Sequence, residues 1–285
     1  MLKSIAEIIA APSPHWVGDG FFVYPLFADH AFQASISPFL MLDWAAPRKF
    51  DPSKKPPGVG VHPHKGFETI TIVYDGEIEH RDSAGNSGVI GQGDVQWMTA
   101  GRGILHEEFH SKNASQRGGV VSMAQLWVNL RAQDKAADPG YQDIRNSDIP
   151  RIAFDKGELR IIAGEHKGVK GPARTFTRVN VWDLRLEAGG RVSLPLTPGD
   201  PAMLPVFSGR VKINGETIVD GAHMALFGRD GGEIIVEAQE TSQLLLLSGE
   251  PIDEPIAAYG PFVMNHQNEI RQAMDEFRAG KMGVM

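Results

Sequence analysis

VHPHKGFETITIVYDGEIEHRD, residues 61–82, is the stretch from which the fold is read. Phe67 to Val73 is a run of β-branched and aromatic residues, the composition of a strand. Asp75-Gly76 is a hairpin signal, and Glu77 to Arg81 returns as a second strand. His62 and His64 precede the hairpin, two residues apart, and residues so spaced on a strand point to one face. Further on, GRGILHEEF, residues 101–109, sets His106 and Glu108 at the same spacing. Two strands side by side, each offering two ligands from one face, give an N/N/N/O metal site. Glu107 is out of phase with His106 and is expected to face away.

One such pair is weak evidence. With 10 histidines in 285 residues, chance supplies about a third of an HxH pair. A lone histidine is more often a hydrogen-bonded core or surface residue than a ligand. The second pair, preceded by its own Gly-rich turn, raises the four residues to a candidate site. Glu68 competes for the fourth place, because its even spacing from His62 and His64 lets strand alternation alone turn it inward. Imidazole and carboxylate ligands without sulfur suit Fe, Mn, Co, Ni, Cu or Zn. An octahedral ion such as Fe(II) would keep two positions for substrate and dioxygen. Zinc would close a tetrahedral structural site and leave none. Both outcomes stay open at this point.

The rest of the chain is punctuated by 32 glycines and 19 prolines, at intervals of roughly eight to twelve residues, the rhythm of many short strands. Val95 to Met98 follows a turn at Gly91 to Gly93, and Ser122 to Arg131 is strongly β in composition. Ala132 to Lys170 is polar and reads as an inter-domain connection holding a short strand, Leu159 to Ala163. The segment VFSGRVKINGETIVDGAHMALFG, residues 206–228, echoes IVYDGEIEHRDSAGNSGVIGQGDVQWM, residues 72–98. Two similar β-barrels fused in one chain would explain the echo. Ile270, Ala273, Met274 and Phe277 recur at three- and four-residue steps, so His266 to Ala279 is expected as an amphipathic helix. Asn265 can cap its start and Gly280 its end, and its apolar stripe is expected to dock on the protein's own sheet.

Cysteine is absent, which excludes disulfides, thiolate metal sites, iron–sulfur clusters and cysteine nucleophiles. The N-terminal MLKSIAEIIAAPSP lacks the basic region and cleavage site of a signal peptide. No apolar run reaches about eighteen residues, so a cytoplasmic protein without membrane contact is expected. The net charge of −7 repels phosphate backbones, so direct nucleic-acid binding is not expected. Lys54 and Lys55, flanked by prolines, read as a solvated loop, and a monomer is the default. Phe39, Phe67, Trp97 and Met98 are each expected in the barrel core, with an apolar mouth at the site as the alternative role. Asp94 and Arg102 are expected to hold turns, and Gly101 and Gly103 to bend the chain before His106.

SPFLMLDW (Ser37 to Trp44), HPHKGFET (His62 to Thr69), GDVQWMTAGRGILHEE (Gly93 to Glu108), LWVNLR (Leu126 to Arg131) and GPFVMN (Gly260 to Asn265) together resemble the pirin family. The resemblance spans most of the chain, and the QWMTAGRGILH run is its most specific part. It implies an all-β bicupin: two tandem antiparallel β-barrels with a short C-terminal helix and a metal only in the first. The implied domains are 1–131 (metal-binding cupin), 132–170 (connection), 171–252 (metal-free cupin) and 253–285 (extension with helix). Carried over, the ligands are His62, His64, His106 and Glu108, which leaves Glu68 outside the set. The second half offers His223 but no HxH. WAAPRKFDPSKKPPGVG, before the HPH strand, and the Trp16 to His30 region depart from the usual pattern, which puts a relative's substrate choice in question here.

For bacterial members the resemblance implies quercetin 2,3-dioxygenase activity. A flavonol would chelate one divalent ion, Fe(II) first among the candidates. Glu108 would take the hydroxyl proton as general base, and dioxygen would open the central ring with loss of carbon monoxide. The alternative is a redox-sensing regulatory protein that uses the same four ligands and acts on a protein partner. A different small-molecule cupin reaction stands third.

Overall fold

The computed structural model describes residues 1–28 and 33–285. His30, at the end of the divergent Trp16 to His30 region, lies outside the described residues. The chain divides into two compact units. One comprises Pro14–Tyr24, Phe39–Asn146 and Ile252–Met285; the other comprises Met1–Ser13, Pro25–Pro38 and Ser147–Pro251.

The unit that carries the histidine motifs is built on two antiparallel sheets. The larger runs Gly140–Ile144, Val95–Thr99, Phe67–Asp75, Gly119–Asn129, Phe39–Phe50, Phe21–Phe27, His15–Val17. The smaller runs Gly58–His64, Ile104–His110, Ile78–Asp82, Ser87–Ile90. One end of the space between their inner faces is filled by Phe21, Val23, Ala45, Val73, Ile78, Ile90, Val121 and Met123. The other end is polar and holds the histidines.

The second unit repeats the arrangement. The repeat predicted from sequence is real at the level of wiring. In the first unit Phe67–Asp75 pairs with Val95–Thr99, and Ile78–Asp82 pairs with Ser87–Ile90. In the second, Ala202–Ser208 pairs with His223–Phe227, and Arg210–Ile213 pairs with Thr217–Asp220. The interiors differ. Trp182, Leu184, Leu204, Val206, Val211, Ile213, Ala225, Leu244 and Leu246 make the second interior a continuous apolar core. His223 is partly buried and its Nδ1 lies 2.9 Å from the Gly221 carbonyl, a local turn contact.

Three expectations about chain path change. Ile5–Ala10, expected with the first barrel, pairs with His223–Phe227 in the second unit. The Ala132 to Lys170 segment is not a bare connection. Gly140–Ile144 is an edge strand of the first unit; in the second, Arg151–Phe154 is the edge strand and Gly157–Ala163, the strand expected there, pairs inside it with Val179–Leu186. Edge strands tolerate polar residues and turn formers, so their composition reads as linker. The C-terminal helix runs Gln267–Arg278 with His266, not Asn265, at its N-cap. The Glu269 carboxylate accepts from the His266 backbone N–H at 2.8 Å, while the Asn265 side chain donates to Glu254 and to the Pro255 carbonyl. Gly280 sits at φ 69 just past the end, as a left-handed stop requires. Ile270, Ala273 and Met274 pack on Ala257, Phe262, Met264 and Met282 of the same unit, so the stripe docks on its own protein. Among the described residues no helix is long and apolar enough to cross a membrane.

The strand phase is reset between His64 and Glu68. Gly66 stands between the two strands at φ 90, and a Cβ there would lie 1.9 Å from the Val263 carbonyl oxygen. Glu68 therefore faces away from the histidines, opposite Thr99, whose hydroxyl donates to it at 2.7 Å. At 2 % exposure, burial pushes the Glu68 carboxyl up to about 7, partly opposed by that hydrogen bond. A carboxyl whose folded value is raised holds a proton that the unfolded chain has released, so its contribution to stability is present at low pH and lost as pH rises. Glu68→Gln is expected to flatten the fall in stability between about pH 5 and about pH 8 and to gain on the order of 2 kcal/mol over wild type at the upper end. Urea unfolding midpoints across that range measure it, and parallel curves for the two proteins would refute it.

Candidate metal centre

The Gly58–His64 and Ile104–His110 strands are antiparallel neighbours, and the ladder sets His106 directly opposite His62 and Ile104 opposite His64. The register slips by one residue between His106 and Glu108, a bulge that re-aims side chains locally. Upstream, Gly101 makes the bend expected of it, at φ 50 and so close to Ala137 that a Cβ would meet its carbonyl oxygen at 2.2 Å.

The three histidines meet. Ring centroids are 4.3 Å apart for His62–His106 and 4.8 Å for both His62–His64 and His64–His106. One nitrogen from each lies within 4.8 Å of the other two. Glu108 belongs to a second such triple, with His106 and His80. His64, His106 and Glu108 are buried, and His62 is half-buried. Glu107 faces away, as expected, and pairs with Arg81.

Hydrogen bonds leave particular atoms available. His62 Nδ1 lies 2.8 Å from the Gly60 carbonyl, which sets its Nε2 free. The His64 ring donates to the Pro261 carbonyl, and its Nδ1 is buried with no partner. His106 Nε2 is likewise buried and unpartnered. Glu108 is held by two donors, Thr71 Oγ1 at 3.1 Å and Gln125 Nε2 at 2.9 Å. Burial, reinforced by neighbouring imidazoles, holds His64 and His106 well below the usual histidine range. Neutral imidazole is the form that ligates a metal. Two orphaned nitrogens in a buried N/N/N/O set without sulfur fit a divalent transition ion, since buried polar atoms are otherwise satisfied.

The walls divide by strand phase. Thr71 shares the site face, so its ladder partner Gln96 and the next inward pair, Thr69 and Met98, line it too. Trp97 pairs with Ile70 on the opposite face, and Phe39 pairs with Val128 on that same opposite face. Those two residues are core and not mouth. Phe67 does border the site: its ring lies 5.1 Å from that of His64 and 4.3 Å from that of Trp127. Asp94 holds a turn as expected, accepting from the Gly91 and Asn146 backbone amides. Arg102 makes an exposed pair with Asp138.

Sequence reasoning missed Thr71, Gln125, Trp127, Asp43 and His80. Asp43 lies across the ladder from Gln125, and burial pushes its carboxyl up to about 6, against the nearby His15 imidazole. Only His80 had a local signal. His80 and Asp82 repeat, in the second arm of the opening hairpin, the same i, i+2 spacing that singled out the other pairs.

The Pirin family model matches residues 21–128, and the model described as the Pirin C-terminal cupin domain matches residues 181–283. A Pseudomonas aeruginosa protein named as a proposed quercetin 2,3-dioxygenase is 49% identical over 98% of this chain and 98% of its own. Human pirin is 36% identical over 87% of this chain and 84% of its own. The crystal structure of a quercetin 2,3-dioxygenase from Acinetobacter baumannii superposes with a TM-score of 0.98 at 45% identity, covering 100% of both chains.

If these side chains hold an ion, Zn(II) at about 100 times its Kd should stabilise the folded protein by about 2.7 kcal/mol. His106→Ala should lose that thermal shift. An equal shift in both proteins would place the bound zinc elsewhere.

Proposed function

Because this chain belongs to the pirin family, we propose that its first cupin unit is a metal-dependent dioxygenase opening the central ring of a flavonol such as quercetin. One divalent transition ion, Fe(II) by preference, would sit on His62, His64, His106 and Glu108. The observation that carries the reading is the pair of buried, unpartnered nitrogens on His64 and His106 beside the half-buried His62. The ion, when bound, would supply Lewis acidity toward the substrate hydroxyl and a redox centre for reaction with dioxygen. The overall reaction consumes one O2 and releases one CO.

The chain's own residues have separate tasks in this reading. His62, His64 and His106 supply neutral donors. Glu108 accepts the proton of the flavonol 3-hydroxyl as general base, and the Thr71 and Gln125 donors hold its carboxylate in place. The partly buried Trp127 ring, backed by the fully buried Phe67 4.3 Å away, offers an aromatic face against which a planar substrate can lie. Met98 and Thr69 exclude water on the inner side. Asp43, half-exposed on the same face, offers a polar contact to a substrate hydroxyl.

A second reading, a redox-sensing regulatory protein, is favoured by one feature. Val61 is 51% exposed on the strand that carries His62 and His64, so a change in the ion's charge lies one residue from an apolar surface position that a protein partner could meet.

Oxygen uptake and carbon monoxide release by the anaerobically Fe(II)-loaded protein with quercetin test the first reading. Glu108→Gln is expected to keep metal and to lose activity by about 10²–10⁴-fold, the range for a general base. Full activity in that variant would remove Glu108 from the role. No turnover by the wild-type protein with Fe, Mn, Co, Ni or Cu bound would favour the regulatory reading.

A further inference from the structure

His80 belongs to the second cluster of candidate donors, yet both of its nitrogens are engaged. Its Nε2 lies 3.1 Å from Asp82 Oδ2, and its Nδ1 lies 2.9 Å from the Gln96 side-chain amide and 3.5 Å from His106 Nδ1. The ring is fully buried and stacked on Tyr141, with centroids 5.1 Å apart and planes 25° apart. Asp82 is itself fixed. Its Oδ1 accepts from the backbone amides of Ala84 and Asn86 at 2.9 and 3.0 Å, and the Asn86 side chain donates to both oxygens.

From this geometry we infer that His80 is a positioning residue for His106, holding it so that Nε2 faces His62 and His64. The inference rests on the metal reading above. A His106 that ligates through Nε2 must carry its proton on Nδ1, and that N–H needs an acceptor inside a closed, dry interior. His80 Nδ1 is the ring nitrogen within reach, at the long end of a hydrogen bond. The Asp82 carboxylate, acting only as acceptor, draws the His80 proton to Nε2 and leaves the single Nδ1 lone pair shared between two donors, Gln96 Nε2 at 2.9 Å and His106 Nδ1 at 3.5 Å. The chain of contacts is therefore Asp82, His80, His106, ion. Its directionality separates the two clusters: His106 Nε2 and His64 Nδ1 lack partners, whereas His80 has none to spare. In the second unit the repeat aligns Ile213 with His80, and there the interior is apolar.

Co(II) binding by chelator competition, read together with the visible d–d absorption, tests the assignment on the full-length protein. His80→Leu keeps bulk but removes the acceptor, and His80→Gln retains an acceptor oxygen for the His106 N–H. The leucine variant should bind Co(II) about 10–100-fold more weakly, the usual effect of losing an outer partner of a ligating histidine. The glutamine variant should recover most of that loss. Both should keep the wild-type absorption intensity, because the ligand set is unchanged. Equal affinity in wild type and His80→Leu, or equal weakening in both variants, would overturn the positioning role. A changed absorption intensity in both would make His80 a ligand instead. If His80→Leu does not fold, Asp82→Asn is expected to weaken Co(II) in the same direction at unchanged absorption, and unaltered affinity there would overturn the inference. A wild-type protein that binds no Co(II) would instead overturn the metal reading itself.

Discussion

The antiparallel ladder between Gly58–His64 and Ile104–His110 is the constraint on which the candidate site depends. It fixes His62 opposite His106 by backbone hydrogen bonds, so the imidazoles converge without help from loops. The cost is electrostatic: the His64 and His106 rings are held where water cannot reach them. Burial of this kind is tolerated when each nitrogen has a partner. Here the Gly60 and Pro261 carbonyls engage one nitrogen of His62 and one of His64, while His64 Nδ1 and His106 Nε2 are left without a partner.

The two units make a controlled comparison. They share strand order and pairing, yet only one has a polar interior among the described residues. Where the first carries Thr69, Thr71 and His80, the second carries Ala202, Leu204 and Ile213. A strand ladder is indifferent to which side chains line its inner face, provided they fill the volume or satisfy one another. Wiring therefore sets where a site can form, and side-chain chemistry decides whether it does.

Around the histidines the interior is graded. At one end the apolar set of Val73, Ile78, Ile90 and Met123 closes the space. At the other, hydroxyl, amide and imidazole groups converge on Glu108 and His106. Such a network tolerates few half-measures, because an unmade hydrogen bond in a dry interior costs more than a made one returns.

Much was legible before any coordinates. The period-two spacing of His62, His64 and His106 pointed to three rings the structure brings together, with Glu108 grouped with His106 and His80 instead, and the Gly-turn echo foretold a second unit wired like the first. These are local signals: alternation along a strand and turn chemistry are properties of a few adjacent residues. Glu68 shows the limit of that logic. Its even spacing suggested an inward carboxylate, but the left-handed Gly66 breaks the phase, and a phase break is invisible until the strand ends are known. Trp97 and Phe39 take the core role expected of them, and the strand phase decides it, since one residue of register turns a side chain through the sheet. The pairing of Ile5–Ala10 with His223–Phe227, the Thr71 and Gln125 donors to Glu108, and the Asp82–His80–His106 chain join residues far apart in sequence. Only the folded chain decides these contacts, because nothing within a strand specifies which distant strand will lie beside it.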